Sequence, residues 1–242
     1  MPEKTIDRVL VAVRADIEKA RKSPANLMNA AQFEKGGGVS LVVRTNLVHA
    51  IARARLRELK KTDKQSILDA CEALFESPPG EANIVAVDWS ISLRRTYTPK
   101  DFARFERWLR KYVHGWGLCD AVCCGPLGLL LADFQELAPK TRRWVTSKNL
   151  WLRRAAAVAL IPSVSQGKSF ELAKEIADKL LPDPEDYVQK GYGWLLKVAS
   201  GQFQREVFEF VMQRRDRMPR TALRYAIEKM PQAMRQKAMA KV

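Results

Sequence analysis

Short segments with the apolar spacing of an α-helix recur from one end of this 242-residue chain to the other, each cut off by Pro, Gly, Ser, Asp or Asn. That pattern constrains the fold more than any other feature of the sequence. Between Pro99 and Val113, Phe102, Phe105, Leu109 and Tyr112 form one stripe while Lys100, Arg104, Arg107 and Lys111 stay polar, as in a helix with one buried face. Asp101 falls in its first turn, where a negative charge suits the helix dipole. Further helices are predicted to begin near Asp120, Pro139, Asn149, Lys168, Glu185, Gln202, Pro219 and Pro231, with connections short enough to make neighbours antiparallel. No literal motif returns, but helix pairs recurring at roughly 35–45 residues are the pattern of a solenoid. The expectation is an all-α solenoid of antiparallel helix pairs, folded as one domain over residues 1–242, with length enough to bury a core.

Two places read differently. Val85, Val87, Trp89, Ile91 and Leu93 alternate with Ala86, Asp88, Ser90 and Ser92, which is the period of a strand. A lone strand would leave its backbone groups unpaired, so the segment is assigned to a helix containing Ile84, Val87 and Ile91. Gly36-Gly37-Gly38 suits a flexible loop ahead of a helix over Leu41 to Leu59; it lacks the Lys-Ser/Thr that would make it a phosphate loop.

Charge narrows the partners. The chain carries 42 Lys and Arg against 27 Asp and Glu, a formal net charge of +15. Such an excess favours polyanions, because each phosphate neutralised releases condensed counterions. No window approaches eighteen uninterrupted apolar residues, and no basic amphipathic anchor or lipidation signal is present, so a membrane partner is not expected. Residues Met1 to Lys22 are charged throughout, unlike a secretory signal, and the chain is expected in the cytoplasm. A solenoid with capped ends is most simply a monomer. Cys71 lies far from the cluster Cys119, Cys123 and Cys124, the paired knuckles of a zinc site are missing, and His49 and His114 are widely separated. No metal and no cofactor are expected, and the cysteines read as reduced thiols of a helical core.

Three segments combine residues that could do chemistry. In His114-Gly-Trp-Gly-Leu-Cys-Asp120, Trp116 and Asp120 stand four apart, so a helix containing both presents an indole and a carboxylate on one face. Around Asn149-Leu-Trp-Leu-Arg-Arg-Ala-Ala156 a helix opens near Ser147 or Asn149, both good caps, the buried stripe is Trp151, Ala155 and Val158, and Arg153 and Arg154 are adjacent cations near a helix start. The dipole disfavours them there, and phosphate binding is an economical reason for them. Gly191 and Gly193 interrupt a helix just before Trp194, each costing up to about 1 kcal/mol relative to Ala, which points to close approach by a neighbouring helix or a ligand backbone. Downstream, Arg214, Arg215, Arg217, Arg220 and Arg224 form the densest basic cluster and lack aromatics for stacking unpaired bases, so duplex backbone is the better fit.

These segments, in this order, resemble the DNA alkylation repair enzyme family of the AlkD type, a HEAT-like-repeat family of DNA glycosylases. Trp116 and Asp120 match the ends of its Trp-Asp-x-x-Asp segment, Asn149 to Ala156 its Asn-x-Trp-x-x-Arg-Ala-Ala segment with the functional arginine at Arg154, and Gln189 to Trp194 its Gln-Lys-x-x-Gly-Trp segment. Arg220 to Glu228 looks like its closing helix, and the match spans roughly Phe102 to Pro231. Gly117 departs from the pattern by replacing the first acid.

The resemblance implies a HEAT-like solenoid with a basic concave face that holds double-stranded DNA containing alkylated bases. It implies a monofunctional glycosylase that hydrolyses the N-glycosidic bond of cationic N3- or N7-alkylated purines. Asp120 would be the catalytic carboxylate, Trp116 and Trp194 would flank the charged nucleotide, and Arg154 would hold a nearby phosphate. Lys148, Arg153, Lys190, Arg220 and Arg224 are expected on the DNA backbone. The alternative is a non-catalytic relative that binds structured or damaged DNA on the same scaffold.

Overall fold

The computed structural model describes residues 2–28, 43–76, 78 and 80–240. Among these the regular structure is helical, apart from an isolated antiparallel bridge between Leu27 and Val43. The Gly36-Gly37-Gly38 run lies outside the described residues. Contacts gather into two compact units, Met1–Pro126 and Leu127–Val242.

The first unit holds α1 (Pro2–Arg21), α2 (Thr45–Leu56), α3 (Lys64–Phe75), α4 (Ala82–Ser92), α5 (Asp101–Lys111) and α6 (Trp116–Cys124). Each helix packs on its neighbours in a way that builds two rows: α2 on α4 and α4 on α6, with α1 against α3. Asp63 starts α3 by accepting the Ser66 amide at 3.0 Å. At the head of α5, Asp101 accepts the Thr98 amide at 2.6 Å and pairs with Lys64 at 2.8 Å. The large core side chains satisfy their polar atoms: Trp89 Nε1 donates to the Ala52 carbonyl at 2.9 Å, and Trp108 Nε1 to Glu72 at 2.8 Å.

The alternating segment is indeed helical. In α4, Val85, Ala86, Val87, Trp89 and Ser90 are all buried, because α2, α3 and α6 all pack against it. A helix covered on several sides keeps no continuous polar face, which erases the 3.6-residue period and leaves the accidental alternation visible.

The second unit continues with α7 (Pro126–Asp133), a 3₁₀ stretch over Gln135–Trp144, α8 (Leu150–Val158), α9 (Ile161–Val164), α10 (Phe170–Leu180), α11 (Asp186–Ala199), α12 (Gln204–Met212), α13 (Arg220–Ile227) and α14 (Gln232–Met239). Here α8, α11 and α13 pack in succession, with α10 on α11 and α12 on α14. Asn149, Pro219 and Pro231 stand at the N-caps of α8, α13 and α14, as their positions in the sequence predict. Pro139 instead lies inside the 3₁₀ stretch, and α6 begins at Trp116, ahead of Asp120, with extended Gly115 as its cap.

Residues Trp116–Asp133 have a mean hydropathy of 1.3 over 18 residues, enough by composition for a membrane span. The stretch is nevertheless broken at Gly125 into α6 and α7, and 56% of it is buried within the fold. A Cβ at Gly125 would lie 2.4 Å from the Ala121 carbonyl oxygen and 3.1 Å from Ile91 Cδ1, so the break is packed directly against α4. These are core helices.

Candidate functional site

Within the first unit, α6 divides its residues between two faces. Cys119, Val122 and Cys123 point into the core, while Trp116 and Asp120, one turn apart, are both half-buried. An indole and a carboxylate therefore share the partly exposed edge of one helix. Gly117 is exposed, and a Cβ built on it meets nothing within 4 Å. The missing acid at that position is thus a lost side chain, and no neighbour demands a glycine there. Burial, together with a hydrogen bond to Cys119, pushes the Cys123 thiol well above its ordinary range, and burial does the same to Cys71. Both remain protonated packing groups. Among the described residues, no three His, Cys, Asp or Glu side chains gather closely enough to hold a metal ion.

Within the second unit, α8, which carries Arg154, packs on α11, which carries Trp194. Arg154 is only 5% exposed. Its Nη1 donates to the Tyr187 carbonyl, and its side chain covers Gly191, where a Cβ would come 3.2 Å from Arg154 Cγ. Gly193 faces the other neighbour: a Cβ there would lie 2.7 Å from Tyr225 Cβ and 2.9 Å from the Ala222 carbonyl oxygen on α13. Both glycines are therefore explained by helix–helix approach, and Trp194, half-buried, follows immediately.

Trp151 departs from its expected place in the buried stripe. It is half-buried, and its ring tilts against Tyr187 at 5.4 Å between centroids. Tyr187 precedes Trp194 by seven residues, so both lie on one face of α11. This aromatic pair was not singled out in the sequence. The signal for it was the seven-residue spacing, which reads equally well as core.

The expected backbone cations separate into two kinds. Arg153 is spent inside the protein: Nε lies 2.6 Å from Asp183 Oδ2, and Nη1 donates to the Ser147 and Lys148 carbonyls at 2.8 and 3.2 Å. Lys190 pairs with Asp186 at 2.5 Å, which raises its pKa. Lys148, Arg220 and Arg224 are exposed, and among the described residues none of them has an ion-pair partner. The downstream arginine cluster splits likewise. Arg214 binds Asp178 at 2.5 Å and covers the Phe210 ring at 3.9 Å, and Arg215 donates to the Lys237 carbonyl at 3.1 Å.

Much of the acidic charge is neutralised locally. Between α3 and α5, Asp69, Glu72 and Glu76 meet Arg104, Arg107 and Lys111 at 2.7, 2.6 and 2.5 Å. On α10, Glu175 is held by Arg142 and Lys179, which lower its pKa to about 2. Pairing of the acids leaves exposed cations such as Arg220 and Arg224 to set the surface potential.

The family model described as DNA alkylation repair enzyme matches residues 14–230. A solved structure titled as a predicted DNA alkylation repair enzyme from Enterococcus faecalis superposes with a TM-score of 0.69 at 19% identity, covering 78% of this chain and 87% of that one. The smu.31 protein of Streptococcus mutans UA159 is similar with a TM-score of 0.50 at 18% identity, over 67% of this chain and 86% of that one. At such identities the likeness is one of fold. No curated protein sequence matches the chain.

Proposed function

Because the chain belongs to the DNA alkylation repair enzyme family, we propose that it is a DNA glycosylase that releases cationic N3- or N7-alkylated purines from duplex DNA. The observation that carries this reading is the shared edge of α6, where Trp116 and Asp120 are both half-buried. Alkylation makes the purine a good leaving group, so the enzyme need not protonate it. What the reaction requires is stabilisation of the positive charge that develops on the sugar, and a water placed to attack it. A single carboxylate can supply both. Asp120 takes that role, and Trp116, one turn away on α6, offers an aromatic face to the cationic nucleotide; on α11, Trp194 is a further candidate contact to DNA.

Arg154 acts through its charge and through the Tyr187 carbonyl, which it ties to α8, keeping the start of α11 and the helix that bears Trp194 in place. Direct phosphate contacts fall to exposed cations such as Lys148, Arg220 and Arg224. A lyase step is not part of this reading. The lysines nearest Trp194 along α11 are engaged, Lys190 with Asp186 and Lys197 with Glu228 at 3.0 Å, whereas a Schiff-base nucleophile needs a free amine.

Gly117 favours a second reading, in which the chain binds damaged duplex without cleaving it, because that position offers no acid beside Asp120. Release of free base from duplex DNA carrying N7-methylguanine or N3-methyladenine separates the two. Release supports the glycosylase, and salt-sensitive binding without release supports the second reading.

A further inference from the structure

Outside the residues used above, the first unit carries a histidine–carboxylate pair. His49 Nδ1 on α2 lies 2.6 Å from Asp88 Oδ2 on α4, with side chains 40% and 24% exposed. At that distance Nδ1 carries the proton shared with the carboxylate, which orients the ring and leaves Nε2 as the second hydrogen-bonding atom. The pair spans α2 and α4, and α4 packs in turn on α6, which bears Trp116 and Asp120.

The surface of α2 around His49 suits a polyanion. Asn46, Ala50, Arg53, Ala54 and Arg57 are exposed, and the two alanines let a ligand backbone approach closely between the longer side chains. Among the described residues, Arg53 and Arg57 have no ion-pair partner. On α4 the group facing His49 is Asp88, and along α2 Arg53 lies one turn on. From α1, Asp16 is spent on Arg55 at 2.7 Å, and on α6 the ionisable group at the exposed edge is Asp120.

We propose that His49 is a proton-gated contact for the DNA phosphate backbone, positioned by Asp88. This inference rests on the DNA-binding reading above and extends it into the first unit. With the ring neutral, the pair carries one negative charge and Nε2 has no proton, so a phosphate is repelled. With the ring protonated, the pair is neutral overall and Nε2–H donates a charge-assisted hydrogen bond. Binding of a phosphate there favours the protonated ring, so duplex affinity is greater in mild acid than in mild base.

The chain has only two histidines, His49 and His114, which makes the test tractable. Affinity for an undamaged duplex is measured at constant ionic strength at pH 8 and pH 6 for wild type, His49→Gln, Asp88→Asn and His114→Gln, with thermal stability recorded for each. Wild type and His114→Gln are expected to bind at least about tenfold more tightly at pH 6, the scale of one charged hydrogen bond. His49→Gln is expected to lose that gain. Asp88→Asn is expected to bind more tightly than wild type at pH 8, having lost a negative charge, and to gain less on acidification. A pair that only ties α2 to α4 would lower the melting temperature of His49→Gln and leave its pH profile unchanged, and that result overturns the proposal, as does loss of the profile in His114→Gln. Release of alkylated base is assayed in parallel: duplex binding with this profile but no release leaves the inference standing and removes the glycosylase reading.

Discussion

Arg153 and Asp183 form an ion pair whose nitrogen and oxygen are 2.6 Å apart, and the Asp183 side chain is only 6% exposed. The same guanidinium also holds the Ser147 and Lys148 carbonyls, so it fixes the turn before α8 to the loop that leads into α11. Removing the cation strands a buried carboxylate. Arg153→Ala is expected to lose about 3 kcal/mol of stability, measured by urea unfolding. Its salt dependence of DNA binding should match wild type, because the guanidinium is already engaged by Asp183 and two carbonyls. A stable variant with a shallower salt slope would return it to the DNA surface.

The two glycines of α11 differ in what lies above them. At Gly191 the nearest atom is Cγ of a long side chain, Arg154, at 3.2 Å, whereas at Gly193 it is Tyr225 Cβ at 2.7 Å, with the Ala222 backbone oxygen at 2.9 Å. Backbone cannot swing aside. Gly193→Ala should therefore destabilise by about 2 kcal/mol despite the better helix propensity of alanine, and Gly191→Ala by less. Thermal melts of the two variants check the order, and a Gly193→Ala protein more stable than wild type would contradict the packing.

Arg220 and Arg224 lie one turn apart on α13, both exposed. Replacing either with Ala should weaken binding to any duplex without regard to sequence. Each replacement should also reduce the slope of log affinity against log salt by about 0.9. Fluorescence anisotropy over a salt series measures this directly, and an unchanged slope in both variants would remove α13 from the interface.

Acid should loosen the second unit through Glu175. Arg142 and Lys179 lower its pKa from the ordinary 4.5 to about 2. A carboxyl whose folded pKa is depressed contributes stability that is fully present above its unfolded pKa and is lost as pH falls through the folded one. The window therefore runs from about 4.5 down to about 2. Glu175→Gln should show a shallower loss of stability across that window than wild type, read from unfolding midpoints at each pH.

The helical architecture was legible because amphipathic periods and caps are local signals, and Asn149, Pro219 and Pro231 mark real helix starts. The placing of Trp116 and Asp120 on one face followed from their four-residue spacing alone. What the sequence could not display were partners distant along the chain. Arg153 looks like a free cation until Asp183, thirty residues away, is seen beside it. His49 looks isolated until α4 brings Asp88 to 2.6 Å. Trp151 read as core because spacing registers a face and not how far that face is covered. The cost of Gly191 and Gly193 did point to close approach, and the structure supplies Arg154 and Tyr225 as the neighbours.

The central claim is that Asp120 stabilises the transition state for base loss. It is tested most directly by single-turnover release of N7-methylguanine from duplex DNA at low salt, comparing wild type with Asp120→Asn. The substitution keeps the shape of the side chain and removes its charge. The account predicts a fall in the release rate of at least about a hundredfold with duplex affinity retained. Release by Asp120→Asn at the wild-type rate would contradict it.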